Sequence, residues 1–276
     1  MTYKIVSDSS SNVYSLSGID FESVPLKIIT AKAEYVDTPA LDVEAMVNEI
    51  KETKGKSGTS CPNIGDWLGA FGEADVIFAV TITSHLSGSY AAAVEAAKIH
   101  EEAHPGSKVF VVDTLSAGPE MRVIIEYIKE QMLLGKTFEE IKEAVTEYQN
   151  RTHLVFSLQS LTNLARNGRV NAAVAKIAGV LGIRVMGAAK DGVLDPLHKC
   201  RGEAKTLDTI YEEMKKRGFN NGKVRIAHCF NEESANILKE KILADFPESD
   251  IQIEKNGALC SFYAERGGLL VGFESM

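Results

Sequence analysis

Residues Val76–Ala97 read "VIFAVTITSHLSGSYAAAVEAA", and this stretch decides the fold class. It opens on a short, continuous apolar run, the pattern of a strand buried on both faces. It closes on an Ala-rich run that predicts a helix. Between the two lie five hydroxyls, Thr81, Thr83, Ser84, Ser87 and Ser89, with Gly88 among them. In open α/β sheets ligands sit beyond the carboxyl ends of the strands, where a helix points free N–H groups and the positive end of its dipole at them. Two readings of Ser87 and Ser89 therefore stand. They cap the helix, or they donate to an anion that Gly88 lets approach the backbone.

The strand-then-helix alternation continues on both sides. "YKIVSDSS" and "FESVPLKIIT" are short β-rich runs, and "SKVFVVDT" is a second buried strand. "DVEAMVNEIKETKG", "AGPEMRVIIEYIKEQMLLGK" and "TFEEIKEAVTEYQNRT" have helical spacing. Such alternation predicts a parallel sheet covered by helices. After about residue 152 the pattern changes. "SLQSLTNLARNGRV" predicts a serine-capped helix ending at Asn-Gly, Asn171–Gly182 a helix of small residues, and "IRVMGAAKDGVLDPLHKC" a hairpin turning at Asp191-Gly192. A charged helix from Gly202 to Lys216, the strand "KVRIAHC", the helix "NEESANILKEKILADF" and two short strands complete the chain. The expected organisation is an N-terminal parallel-sheet α/β domain over residues 1–152 and a C-terminal α+β domain over 153–276.

The 276 residues suffice for such a pair and for a cavity besides. A net charge of −8 argues against nucleic acid or an anionic membrane surface as a partner. No signal peptide and no membrane-length apolar run is read. Cys61, Cys200, Cys229 and Cys260 lie far apart, form no CxxC, and read as reduced thiols of a cytoplasmic protein.

A second hydroxyl-rich helix entrance is "KSGTSCPNIGDWL", Lys56–Leu68. Two such entrances suggest a small anion held by short donors, against the plainer reading of a surface loop with a capping residue. Enzyme signatures fail. Neither Ser87 nor Ser89 sits in G-x-S-x-G, and the position five before Gly55 of "GKS" is Ile50, not the glycine of a phosphate loop. "HEEAH", His100–His104, matches the zinc-protease pattern formally but lies at a helix end just before Pro105-Gly106. His85 reads as a solvent-facing loop histidine. In the second half, Arg166 and Arg169 flank Asn167-Gly168, and Lys199, Arg201 and Lys205 open the charged helix. Cations there oppose the helix dipole, which points to an outside partner or to a solvated face.

Taken in order, "TSCP", "TITSHLSGSYAAA", "VVDTLSAG", "LTNLARNGRVNAAVAKIAGVLGIRVM", "DGVLDPLHKCRGEAKTL" and a Gly-rich C-terminal block resemble the DegV fatty acid-binding family along nearly the whole chain. The resemblance implies a two-domain α/β fold that buries one long-chain fatty acid in a tunnel between domains. It implies no catalytic residue, no cofactor and no metal, and a separate fatty acid kinase to which the carboxylate is presented for phospholipid synthesis. It places Thr59, Ser60, Ser87, Gly88, Arg169 and Tyr263 around the ligand, and Lys199, Arg201 and Lys205 at the kinase. Two departures stand out: Asn63 follows the proline where the family has Ser, and Tyr263 stands near a family histidine. The expectation is a monomeric, cytoplasmic, non-enzymatic carrier. The rivals are a serine-dependent acyl hydrolase or transferase using Ser87 or Ser60 with His85, and a binder of another small anion.

Overall fold

The computed structural model describes residues 1–52, 55–171 and 182–275. The first half runs β1 (Tyr3–Asp8), β2 (Asp20–Val24), β3 (Lys27–Thr30), β4 (Glu34–Val36), α1 (Val43–Glu52), β5 (Ser57–Ser60), α2 (Ile64–Phe71), β6 (Val76–Thr81), α3 (Ser89–Ala103), β7 (Lys108–Asp113), α4 (Pro119–Leu133) and α5 (Phe138–Tyr148). The rest runs β8 (Thr152–Leu158), α6 (Thr162–Arg166), β9 (Ile183–Lys190), β10 (Val193–Arg201), α7 (Glu203–Lys216), β11 (Lys223–His228), α8 (Glu232–Asp245), β12 (Asp250–Lys255), α9 (Ala258–Ala264) and β13 (Leu269–Glu274). The small-residue helix expected over Asn171–Gly182 falls almost entirely on 172–181, outside the described residues.

Strands β2-β1-β6-β7 form a wholly parallel sheet. Strand β6 lies inside it, and every one of its residues is buried. Alternate side chains go to opposite faces. Ile77 and Ala79 pack with Trp67, Phe71, Ala93 and Ala96 of α2 and α3, while Phe78 and Val80 pack with Ile124, Ile128 and Val145 of α4 and α5. Each large side chain so buried stabilises the fold by roughly 1.5–3 kcal/mol, which is why the run carries no polar alternation.

The first half also holds a sheet that the sequence reading lacked. "FESVPLKIIT" divides at Pro25: β2 joins the parallel sheet, and β3 pairs antiparallel with β4 and β5. The second half is one six-stranded sheet, β10-β9-β8-β13-β11-β12, parallel only between β11 and β12. Helices α7 and α8 cover one face through Leu207, Ile210, Met214, Leu238 and Ile242. The β9–β10 hairpin turns at Asp191 and Gly192, with φ of 50° and 80°. A two-residue turn with both φ positive matches strand twist, so Asp-Gly is the expected pair. At the other face α4 lies against β13, where a Cβ at Gly272 would stand 2.3 Å from the Glu120 backbone nitrogen. Only glycine admits that approach.

Two further differences are local. The serine-capped helix expected from Ser157 is shorter. Residues 152–158 are strand β8, and α6 begins at Thr162, with Ser160 Oγ accepting from Thr162 N at 3.1 Å. The C-terminal block contains α9 between its two strands.

Candidate ligand-binding site

Between the two large sheets lies an apolar cavity, about 680 Å³ of space with its open mouth and adjoining solvent included. Leu154, Phe156 and Leu158 line it as alternate residues of β8, while Val155 points the other way into the core under α7 and α8. Leu164 of α6, Leu194 of β10 and Leu270 of β13 continue that wall. Leu26, Ile82, Leu86 and Ala117 from the loops of the first half close it opposite, and Leu259 and Ala264 of α9 lie between.

The polar residues on its border are few: Thr59, Ser87, Arg169, Cys260 and Tyr263. Thr59 Oγ1 and the Tyr263 hydroxyl are 2.8 Å apart, and either can donate. Arg169 Nε donates to the Leu86 carbonyl at 3.1 Å, next to Ser87. A Cβ at Gly58 would stand 3.3 Å from Asn167 Oδ1, and one at Gly88 3.2 Å from Cys61 Sγ. Strand β5, the loop into α3 and the turn after α6 therefore meet. The four expected residues Thr59, Ser87, Arg169 and Tyr263 form one group of short donors beside an apolar space. Arg169 Nη1 donates to the Asn167 carbonyl, and among the described residues no salt bridge to a carboxylate engages Arg169.

Ser60 and Gly88 depart from the expectation. Strand alternation turns Ser60 away from the face that carries Thr59, and its Oγ donates to the Cys61 carbonyl at 3.3 Å. Gly88 does not border the cavity; its role is the close approach to Cys61. The family departure at Asn63 is a helix cap. Asn63 Oδ1 accepts from Asp66 N at 3.1 Å and Asp66 Oδ2 accepts from Asn63 N at 2.8 Å, a capping box.

The hydroxyls after β6 divide their work. Thr81 Oγ1 donates to the Val112 carbonyl at 3.2 Å and Thr83 Oγ1 to Gly192 at 2.9 Å. Ser87 Oγ accepts from Ser89 N at 3.2 Å, and Ser89 Oγ donates to Asp8 at 2.6 Å. His85 is exposed, with Nδ1 3.5 Å from Thr83 Oγ1. Among the described residues it makes no hydrogen bond to Ser87 or Ser60, so the geometry needed for a base-activated serine is missing from both pairs. His100 and His104 stack on each other, with His100 Nε2 3.1 Å from the Ala74 carbonyl, and α3 runs on to Ala103. No metal-holding group of His, Cys, Asp and Glu occurs among the described residues, and no helix there is long and apolar enough to cross a membrane.

Of the three cations expected at a helix start, two lie elsewhere. Lys199 and Arg201 are on β10, and only Lys205 is in the first turn of α7, so the dipole argument holds for Lys205 alone. All three are exposed. Strand β10 is the edge of its sheet, where charge also blocks strand addition. The groove beside Lys199 and Lys205 is shared with Asp208, Glu212 and Glu213, and is thus of mixed charge.

The sequence reading passed over the buried acids. Asp8, fully buried at the end of β1, is pushed above the ordinary carboxylate range by burial, against the bonds it accepts from Ser10, Ser89 and Ile82. Asp37 is raised likewise by burial, while it accepts from the Ala258 and Leu259 amides that open α9. Burial brings Glu120 to about 7. An acid closing an apolar strand, as in "KIVSDSS", is the signal that could have found Asp8.

The model of the DegV family, whose description is of an uncharacterised protein, matches residues 2–275. A DegV domain-containing protein of Streptococcus pneumoniae is 40% identical over 99% of both chains. Two crystal structures superpose over 100% of both chains with a TM-score of 0.98. One is a DegV family protein from Eubacterium eligens loaded with heptadecanoic acid, 42% identical. The other is the Streptococcus pneumoniae Fatty Acid Kinase (Fak) B3 protein loaded with linoleic acid, 40% identical.

Proposed function

The chain belongs to the DegV family, and from that premise we propose that it binds one long-chain fatty acid in the cavity between its sheets and presents the carboxylate to a separate fatty acid kinase. The observation that carries this reading is the division of the cavity itself: leucine walls, with Thr59, Ser87, Arg169 and Tyr263 gathered on one border. The acyl chain supplies the affinity. About 14 buried methylenes at ~0.8 kcal/mol each set an upper limit near 11 kcal/mol before ordering costs. Each neutral hydrogen bond at the head group adds only about 1 kcal/mol net and fixes orientation. In this reading the chain is a carrier and not a catalyst, and Lys199, Arg201 and Lys205 are its electrostatic contact with the kinase.

The test is denaturing mass spectrometry of organic extracts of the purified protein, with melting temperatures measured in oleate, palmitate and palmitoyl-CoA. A near-stoichiometric fatty acid and stabilisation by the free acids alone are expected. Lipid-free extracts with no stabilisation by either acid would overturn the reading. For the kinase, Arg201→Glu is expected to slow acyl phosphate formation and leave fatty acid uptake unchanged. Lost uptake would instead place Arg201 in the fold or the pocket.

A further inference from the structure

We propose that Asp8 is the positioning residue of the ligand head group, holding Ser87 as a hydrogen-bond donor by clasping the loop that carries it at both ends. This rests on the fatty acid reading and goes beyond it, because Asp8 does not border the cavity.

Asp8 Oδ2 accepts from Ile82 N at 2.9 Å and from Ser89 Oγ at 2.6 Å. Those two residues begin and end the loop from β6 into α3, and its middle supplies Leu86 and Ser87 to the cavity. The other oxygen, Oδ1, accepts from Ser10 N at 3.2 Å and from Ser10 Oγ. This ties the loop to the buried turn Ser9–Ser11 after β1. The same turn holds two more pieces of the wall. Ser9 Oγ accepts from Leu26 N at 2.9 Å, and the Ser10 carbonyl accepts from Cys260 Sγ at 3.3 Å. Leu26 and Cys260 both border the cavity.

The clasp determines what Ser87 can offer. With Ser89 fixed, its amide N–H occupies a lone pair of Ser87 Oγ at 3.2 Å. A hydroxyl has one proton, and that proton is left for the cavity, where a carboxylate takes donors only. A carboxylate suits the clasp because all four of its partners donate and two of them are backbone N–H groups that cannot accept. An amide at position 8 would turn N–H against N–H on one side. Acting through Ser89 also keeps the acid out of contact with an anionic ligand.

The experiment is a double-mutant cycle on the full chain, read by the dissociation constant for [1-13C]oleate and by the 13C shift of its bound carboxylate. Ser89→Ala cuts the clasp and leaves the amide of residue 89; Asp8→Asn replaces one of the two acceptor oxygens with a donor NH2 that faces a backbone N–H. Each is expected to weaken binding about 3- to 10-fold and to move the carboxylate resonance toward its position in Ser87→Ala. Added to Ser87→Ala, neither should weaken binding further, since they act through that hydroxyl. Losses that add to that of Ser87→Ala, or binding by Asp8→Asn as tight as the parent's, would overturn the proposal while the parent's uptake upholds the carrier. Should Asp8→Asn fail to fold, the Ser89→Ala arm decides by the same criterion. A parent that takes up no oleate overturns the carrier reading and this proposal with it.

Discussion

The two halves of the molecule meet along two unlike seams. Along α4 the seam is charged and closed. Arg122 Nε lies 2.9 Å from Glu126, and its guanidinium also pairs with Glu254 of β12. Arg225 of β11, 2% exposed, reaches both Glu126 and Asp250 at 2.6 Å. Lys223 pairs with Glu130 at 2.8 Å, and the Tyr148 hydroxyl donates to Glu274. Around the cavity the seam is apolar, with its few polar groups on one border. Side chains that line a cavity make fewer contacts with one another than close packing provides. The lesson is a division of labour. The α4 seam holds the halves in register with partners inside the protein, and that leaves the other seam free to take its partner from outside.

The largest effect should come from breaking the charged seam. Arg225→Ala leaves Glu126 part-buried with only Arg122 beside it, and is expected to cost about 3 kcal/mol in denaturant unfolding, the low end for a broken buried pair. Fatty acid affinity should stay within about twofold once the protein is folded. A comparable loss of affinity would show that the two seams are not independent.

Glu120 tests the same seam through pH. It is buried against Ser116 and Thr152, with a pKa of about 7 in place of the ordinary 4.5. Between those values the folded chain keeps a proton that the unfolded chain has released. Its contribution is therefore fully present below pH 4.5 and is lost as the pH rises through 7. Glu120→Gln keeps partners for both hydroxyls and should be the more stable form near pH 8, by up to about 3 kcal/mol, with the gap closing near pH 5. Thermal unfolding of parent and variant at both pH values measures it, and a gap that does not change with pH would place the Glu120 pKa near its ordinary value.

Smaller effects separate the cavity border from its surroundings. Thr59→Val should weaken fatty acid binding by about 1 kcal/mol, since it removes one neutral hydrogen-bonding group. Asn63→Ala should do the reverse: about 1 kcal/mol of stability lost with its cap, and no change in affinity. Paired titrations and melts of these two variants would show whether the head-group site ends at β5 or extends to the start of α2.

Much of this was legible in the chain. The unbroken apolar run of β6 identified a doubly covered strand, and Asp191-Gly192 identified the hairpin, because each signal is local. What escaped had no local signal. Strand β5, "SGTS", contains no large apolar residue and is a strand only because Ile28 and Lys27 pair with Thr59 and Ser60. Helix α9 is seven residues long with no side-chain cap of its own, and Asp37 supplies the acceptor for its first amides from far along the chain. Lys199 and Arg201 read as the opening of the charged helix because charge near a helix start looks the same whether the preceding residues are coil or strand.

The sequence by itself determined the parallel α/β half, the main helices, the hairpin and the residue types gathered for an anion. These follow from periodicity and turn chemistry within a few residues. Only the tertiary structure decided which hydroxyls face the cavity and which serve the fold. Ser60 and Thr59 are adjacent, yet one bonds to the neighbouring Cys61 carbonyl and the other to a tyrosine 204 positions away. Asp8 meets Ser89, 81 positions on, only in the folded chain. Burial and hydrogen bonding are properties of pairs, and a pair exists only once the chain has brought its members together.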